Sequence, residues 1–327
     1  MQKVTVAVIG AGEHGRRHAH AFRQVPGVEL AGVYDQQEDR ARALAAELEV
    51  KAFTNLEEAL AAAEAVSIVI PTTAHAEVAC SALESGVDVL VEKPIARTLE
   101  EAEKLIQVAD RAGRILQVGH LERFNPGVVA AKAVTHQPLF FEIHRLGVFS
   151  PRSLDVDVVF DLMIHDLDLV LWMVGAAVRD VRAVGLPVLS NKVDIANARV
   201  EFENGAVANF TASRVSTEKV RKFRYFQPHE YISIDFSRRD ALLLRVDDGG
   251  TTPGIGLRKL EAESREPLQA ELESFVDCVR TRRLPLVGGR EGREALALAE
   301  RVMFCIEEHA GRVHVPMIRS LGHSGEL

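Results

Sequence analysis

The chain has 327 residues, 47% of them hydrophobic, and a formal net charge of −8 at neutral pH. That length predicts about two domains with a sizeable core, and the acidic balance leaves no overall basic field to draw nucleic acid or an anionic membrane. Cys80, Cys278 and Cys305 lie far apart, are odd in number and form no C-x-x-C pair, so a reduced, cytoplasmic setting is expected rather than a disulfide framework.

The N-terminal residues enter a strand pattern without the regions of a signal peptide. No apolar run reaches the ~18 residues of a bilayer span, so neither export nor membrane insertion is expected. Residues 3–9 form a β-branched run that ends in Gly10-Ala11-Gly12-Glu13-His14-Gly15 and continues into a helical pattern through Phe22. G-x-G-x-x-G is informative in this strand, turn and helix setting and weak outside it. Gly10 permits the tight turn, Gly12 lets backbone approach a pyrophosphate, and Gly15 allows close helix packing. Amides at the helix start then face the phosphates.

A second strand over 28–34 ends at Asp35, about twenty residues beyond Gly15, where a carboxylate bonds the adenosine ribose hydroxyls. With Gln36 and Gln37 following, no cation is immediately placed to receive a 2′-phosphate. NAD is therefore favoured over NADP. His14 and His18 are one helical turn apart, but without a third ligand beside them they read as pocket-rim or surface residues, not a metal site.

A short strand near Ala52, a helix over 55–65, a strand over 66–70, a helix over 75–85 and strands over 87–91 and 114–118 predict a mostly parallel, doubly wound sheet. Pro71, Thr72 and His75 follow a strand's carboxyl end, the edge where open α/β sheets bind ligands. The strand over 87–91 runs into Glu92-Lys93-Pro94. A lysine there points toward the nicotinamide end, and partial desolvation would lower its pKa and allow proton exchange with a substrate hydroxyl. Taken alone, the tripeptide is equally well read as an ordinary surface turn.

Beyond Asn125-Pro126 the pattern changes to a helix followed by several strands. After an extended run over 139–148, residues 156–174 read as one buried helix with a narrow polar stripe. At about 100° per residue, Asp157, Asp161, His165 and Asp168 share roughly 80° of arc. Burying four titratable groups is costly. Asp161 and His165, four apart, lie side by side; they read as a pair that fixes the helix, as a catalytic pair, or, with Asp168, as metal ligands. Asp166 points the opposite way and is expected to make a structural hydrogen bond, with Trp172 in the core.

Alternating runs near 178–187, 197–202, 207–214, 220–226, 231–236 and 241–246, with Asn204-Gly205 as a hairpin turn, predict a largely antiparallel open sheet. Residues 247–254 read as a loop, 267–281 and 290–309 as amphipathic helices, and 323–327 as a fraying end. The expected fold is an α/β Rossmann domain over 1–122 joined to an α+β domain over 123–327, whose last helices can pack back on the first. Arg145, Arg152, Arg214, Arg221, Lys222 and Arg224 form a basic series in the second domain. Scattered surface charge explains most such series, whereas arginine forks suit phosphate oxygens. No recognition motif for nucleic acid accompanies them.

The glycine motif, Asp35, Glu92-Lys93-Pro94, Gly119-His120-Leu121-Glu122-Arg123-Phe124-Asn125-Pro126 and Asp161-x-x-x-His165 occur in the order of the glucose-fructose oxidoreductase / inositol dehydrogenase (GFO/IDH/MocA) family. The chain resembles that family over essentially its whole length. The resemblance implies NAD-dependent oxidation of a sugar hydroxyl, with Lys93, Asp161 and His165 as catalytic trio; hydride chemistry with NAD does not require a metal, so none is expected. It implies a cofactor site drawn from Gly10, Gly12, Glu13, His14, Gly15, Asp35, Pro71, Thr72, His75, Glu92, Lys93 and Pro94, the last after a cis peptide bond. Arg123 and Asn125 would stand on the substrate side. An open sheet face would join subunits into a homodimer or homotetramer.

Met163 departs from the glycine that many members carry in D-x-G-x-H. Arg145 with Arg152, the run 155–168 and Thr211-Ala212-Ser213-Arg214 resemble instead the UDP-N-acetylglucosamine 3-dehydrogenase branch. That implies oxidation at C3 of a sugar nucleotide, for amino-sugar and lipid A precursor synthesis, with Arg145, Arg152 and Arg214 among the substrate-binding residues. A free sugar, inositol or another sugar nucleotide is the alternative substrate. An NAD-binding sensor without turnover is the alternative class, against which the retained trio argues.

Overall fold

The computed structural model describes residues 3–149, 156–247, 254–263 and 265–313. The chain divides into two compact units, Met1–Phe124 with Ser264–Leu296 and Asn125–Glu263 with Ala297–Leu327. The first begins with β1 (Val4–Ile9), α1 (Glu13–Phe22), β2 (Val28–Tyr34), α2 (Glu38–Leu48), β3 (Lys51–Ala52) and α3 (Leu56–Ala61). It continues through β4 (Ala65–Ile68), α4 (His75–Glu84), β5 (Asp88–Glu92), α5 (Leu99–Ala112) and β6 (Leu116–Gly119). The strands form one sheet in the order β3-β2-β1-β4-β5-β6, every pair parallel. Chain order reverses between β1 and β4, and ligands of such sheets bind outside the carboxyl ends at that point. β4 is buried at all four residues, as expected of a strand covered on both faces. Asn55 and Thr98 cap α3 and α5 by accepting the amides of Glu58 and Glu101, satisfying donors that a helix start leaves open.

The second unit opens with α6 (Pro126–Ala133), whose first turn is set by Pro126 and by the Asn125 side chain accepting the Gly127 amide. Then come β7 (Phe140–Leu146), one π-helical turn (Val159–Met163), α7 (Ile164–Val174), β8 (Val178–Leu186), β9 (Ile195–Phe202) and β10 (Val207–Ser213). β11 (Val220–Gln227), β12 (Glu230–Asp235), β13 (Asp240–Asp247) and β14 (Gly254–Lys259) complete the sheet. Its order is β14-β13-β12-β11-β7-β10-β9-β8. β7 and β10 pair in parallel and the other neighbours antiparallel. Ala196, Ala198, Val200 and Phe202 of β9 are buried while Asn197 and Arg199 between them are exposed, the alternation of a sheet with one covered face. Gly205, at φ +85°, makes the turn from β9 to β10.

Two elements differ from the sequence expectation. Residues 156–174 are not one regular helix: the Ile164 amide bonds the Val159 carbonyl, five residues back. A π turn holds an extra residue, which rotates everything before Ile164 relative to α7. Asp157 stands just before the first helical residue and is outside the stripe; its carboxylate accepts the Val193 amide at 2.8 Å and pairs with Lys192 at 3.6 Å. The second difference is β14, which begins at Gly254, the last residue read as a loop, and adds an edge strand through pairing with β13. Ile255 and Leu257 are exposed there and two glycines interrupt the pattern, so no periodicity announced it. The rest of that loop reading, 248–253, and the fraying end at 323–327 lie outside the described residues.

α8 (Pro267–Thr281) rejoins the first unit. Its Leu272, Phe275, Val276 and Val279 share a buried cluster with Val4, Val6 and Val8 of β1 and Ala19 and Phe22 of α1. Arg282, at φ +59°, ends the helix and its guanidinium grips the buried carboxylate of Asp88 and the Gly113 carbonyl. α9 (Gly289–Val313) follows; just before it, the Val287 carbonyl accepts the Val118 amide at 2.9 Å, extending the edge at β6.

Candidate active site

At the carboxyl end of β1, Gly10 has φ +107° and a Cβ there would lie 2.2 Å from the Val69 carbonyl oxygen; at Gly15 it would lie 1.8 Å from that of Gly10. No side chain fits either place. At Gly12, by contrast, a Cβ would meet nothing within 4 Å, leaving bare backbone at the start of α1. Asp35 closes the far side: its Oδ2 accepts the Ala11 amide at 2.7 Å and its Oδ1 the Gln37 amide at 2.8 Å. Between them is a cavity of about 300 Å³ lined by Gly10, Gly12, Asp35, Arg40, Ile70 and Pro71, among others. A glycine-lined helix start facing a carboxylate suits a pyrophosphate and an adenosine ribose. Glu13 and His14 are exposed in the first turn of α1, and Thr72 opens a short 3₁₀ turn after Pro71. Arg40 is a residue that sequence reasoning missed. It stands one helical turn past Gln37 and lines the cavity, beyond the residues that directly follow Asp35.

Lys93 follows β5 and its bond to Pro94 is cis. Three groups fix this turn. His75 is buried, with Nδ1 2.8 Å from the Pro94 carbonyl and Nε2 2.9 Å from that of Ile70. Burial holds its pKa below the ordinary value, and the neutral ring donates to one carbonyl only. The Lys93 amide donates to Glu92 Oε2 at 3.2 Å. Glu92 Oε1 lies 3.1 Å from His18 Nε2, and His18 Nδ1 lies 2.9 Å from Ser67 Oγ. Burial works against the Glu92 charge, but the bond and charge of His18, then Lys93 and His14, outweigh it and hold Glu92 below the ordinary carboxylate range. His18, expected at a rim or surface, is therefore buried in this network.

In the second unit the π turn carries Asp161, and the first turn of α7 carries His165. Both are half-buried, whereas Asp166 and Asp168 are buried. Asp166 accepts a two-pronged bond from Arg145, Nε at 2.8 Å and Nη2 at 2.7 Å, and the guanidinium lies 5.0 Å over the Phe236 ring.

Most residues proposed for the substrate side are similarly engaged. Arg214 is buried against the Val156 and Val193 carbonyls and 3.3 Å from Asp194. Burial works against ionisation of Asp194, but the amides of Leu189, Val188 and Ser190 and the Ser190 hydroxyl outweigh it and keep Asp194 below its ordinary pKa. Asn125 caps α6, and Arg123, in the first unit, is buried and donates to the Leu286 carbonyl at 3.3 Å. Arg152 lies outside the described residues. Among those described, no group of three His, Cys, Asp or Glu side chains is placed to hold a metal ion, and no helix is long and apolar enough to cross a membrane.

A parallel sheet with a glycine cradle at its switch point, a lysine turn at the same edge, and a second unit built on an open sheet define a two-unit dinucleotide-dependent oxidoreductase. Residues 4–120 match the model of an oxidoreductase family with an NAD-binding Rossmann fold, and 128–227 match the GFO/IDH/MocA C-terminal domain. The chain belongs to the GFO/IDH/MocA family, residues 4–120 carry its NAD-binding Rossmann fold, and it is an NAD-dependent oxidoreductase. UDP-N-acetylglucosamine 3-dehydrogenase of Acidithiobacillus ferrooxidans is 41% identical over 311 residues, 94% of this chain and 98% of the relative. A crystal form of that enzyme superimposes with a TM-score of 0.89 at 39% identity, covering 94% and 99% of the two chains. The NAD⁺-dependent scyllo-inositol 2-dehydrogenase of Bacillus subtilis is 28% identical over 309 residues, 87% of this chain and 89% of the relative. Levoglucosan dehydrogenase, in a complex with NADH and levoglucosan, shares the fold at 18% identity with a TM-score of 0.85, covering 94% and 98%.

Proposed function

We propose that the protein is a cytoplasmic enzyme that oxidises the C3 hydroxyl of UDP-N-acetylglucosamine to a ketone, using NAD. One observation carries the substrate: the near full-length similarity to a 3-dehydrogenase of that sugar nucleotide, 41% identical over 94% of this chain. Bound NAD supplies the acceptor for the hydride that leaves C3. The protein's own work is to hold and to move the proton. Lys93 or His165 takes the hydroxyl proton, and Asp161 orients His165 and tunes its basicity. Glu92, bonded to the Lys93 amide, fixes the backbone from which the lysine projects. Asp35 receives the ribose hydroxyls. Arg123, Asn125, Arg145 and Arg214 shape the substrate side through their internal bonds, and Arg152 is the arginine proposed for the diphosphate. The ketone product is suited to later amination, as amino-sugar and lipid A precursor synthesis requires. The active form is a homodimer or homotetramer, a state that light scattering on the eluted protein measures.

The test supplies NAD with UDP-N-acetylglucosamine, free N-acetylglucosamine or myo-inositol and follows NADH. Turnover with the sugar nucleotide, and a keto carbon at C3 in the product NMR spectrum, is the expected result. Turnover with only the free sugars would overturn the substrate assignment. NAD binding without any turnover would favour a sensor.

A further inference from the structure

One face of the first sheet is covered by α1 and α8. In register, Ser67 is opposite Leu90, Leu90 opposite Gln117, and Glu92 opposite Gly119, so these residues share that face. Leu90 packs there with Ala19 and Phe22 of α1 and with Leu272, Phe275 and Val276 of α8. Beside this apolar packing the face carries Ser67, Gln117 and Glu92, and Glu271, the residue before Leu272, comes over it from α8. It is 0% exposed, and neither carboxyl oxygen has a hydrogen-bond partner among the described residues. Its backbone carbonyl accepts Gln117 Nε2 at 3.3 Å, which seats this turn of α8 over β6. Glu92 occupies the same patch: a Cβ on Gly119, two residues along β6, would lie 3.1 Å from its carboxyl carbon.

A charged carboxylate buried there with no partner is costly, and a second one beside Glu92 adds like-charge repulsion. We propose that Glu271 is a positioning residue for the Glu92-Lys93-Pro94 turn, an uncharged acid whose neutrality lets Glu92 stay ionised and bonded to His18 and to the Lys93 amide. Burial and the neighbouring Glu92 both hold Glu271 well above the ordinary carboxylate range, in agreement with the geometry. Among the titratable and charged groups on the elements around this patch, His18, Lys93 and His14 act on Glu92, His120 and Arg123 after β6 are buried, and Cys278 on α8 lies in the apolar cluster; Glu13, Arg16 and Arg17 on α1 are exposed, and His20 on α1, Glu122 after β6 and Glu273, Asp277 and Arg280 on α8 are half-buried. Asp88, at the opposite end of β5, is taken by Arg282. When Glu271 loses its proton, repulsion raises the proton affinity of Glu92. The bond from the Lys93 amide then weakens.

This rests on the proposed role of Lys93, so the experiment uses readouts that need no substrate. In the full-length protein, infrared spectroscopy at neutral pH is expected to show a protonated-carboxyl stretch that Glu271→Gln removes. On raising the pH, loss of that band should coincide with movement of the Lys93 amide resonance in the wild type and be absent in Glu271→Gln. Glu271→Leu serves as a second uncharged variant should the glutamine protein misfold. Wild-type turnover should fall about tenfold per pH unit beyond the transition, and that limb should be missing from the variants. A neutral-pH spectrum with no band lost in Glu271→Gln, or the same Lys93 titration in both proteins, would overturn the proposal. An intact Lys93 transition without turnover on any sugar would instead fault the catalytic reading.

Discussion

The carboxylate of Asp35 is bonded to the amides of Ala11 and Gln37, yet each oxygen keeps a lone pair for a ribose hydroxyl. Its charge opposes a 2′-phosphate, while Arg40 lines the same cavity and would attract one. Asp35→Ser should therefore raise the ratio of kcat/KM for NADP over NAD by about tenfold or more, since one favourable charged contact contributes on the order of 1.4 kcal/mol or more. If the ratio stays put, Asp35 does not set cofactor choice. Lys93→Met keeps the side-chain length and removes the ammonium. Turnover should drop about 10²- to 10⁴-fold, as for loss of a general acid–base, with NAD affinity by fluorescence titration nearly unchanged. Glu271 makes a prediction about stability as well. Its folded-state pKa is raised above the ordinary 4.5, so the folded protein retains a proton that the unfolded chain has lost. Stability is then lost as pH rises from the unfolded value through the folded one. Glu271→Leu removes that slope, and its urea midpoint should gain on the wild type between about pH 5 and about pH 8. Equal gains at both values would contradict a raised pKa.

Along α7 and β7, a buried ion pair rather than propensity locks two elements together. Arg145 and Asp166 are 4% and 2% exposed and meet through two hydrogen bonds. Removing one partner strands a buried charge, so Asp166→Ala should cost about 3–5 kcal/mol. The double change Arg145→Met with Asp166→Leu should recover most of it, measured by denaturant unfolding. A single variant as stable as the wild type would mean that water reaches the pair. The same bonds bear on how the arginines of this unit are read. A charge pattern offers Arg145 and Arg214 to a phosphate, but the packed protein neutralises them with Asp166 and Asp194.

The two units allow a test of where NAD acts in the molecule as a whole. α8 lies far from β1 in sequence and shares its core, and Arg282 carries that association to Asp88 on β5. A ligand that binds the native state alone stabilises by about 2.7 kcal/mol at a hundredfold excess over Kd. NAD should therefore slow hydrogen exchange in residues 1–124 and in 264–296, while β8 to β14 exchange at their unliganded rates. Protection confined to 1–124 would mean that α8 opens independently of the sheet it covers.

Short-range features of the chain were legible directly. The glycine turn, Asp35, the Glu92-Lys93-Pro94 turn, the hairpin at Asn204-Gly205 and the period of each long strand depend on residues within a turn or two of one another, and backbone sterics act at that range. Both sheets followed from those periods and from the order of the elements. What stayed hidden depends on distant partners. Asp157 is held by the Val193 amide 36 residues ahead, a partner that no helical wheel contains. Arg145 finds its carboxylate 21 residues away, and Arg214 finds the Val156 carbonyl 58 residues back. Glu271 comes over β6 through Gln117, 154 residues earlier, and its charge state follows from that burial. Local pattern specifies which elements form and which face is apolar. Side-chain charge, by contrast, is set by what the finished packing places beside each group, because desolvation and pairing are properties of the neighbourhood and not of the residue.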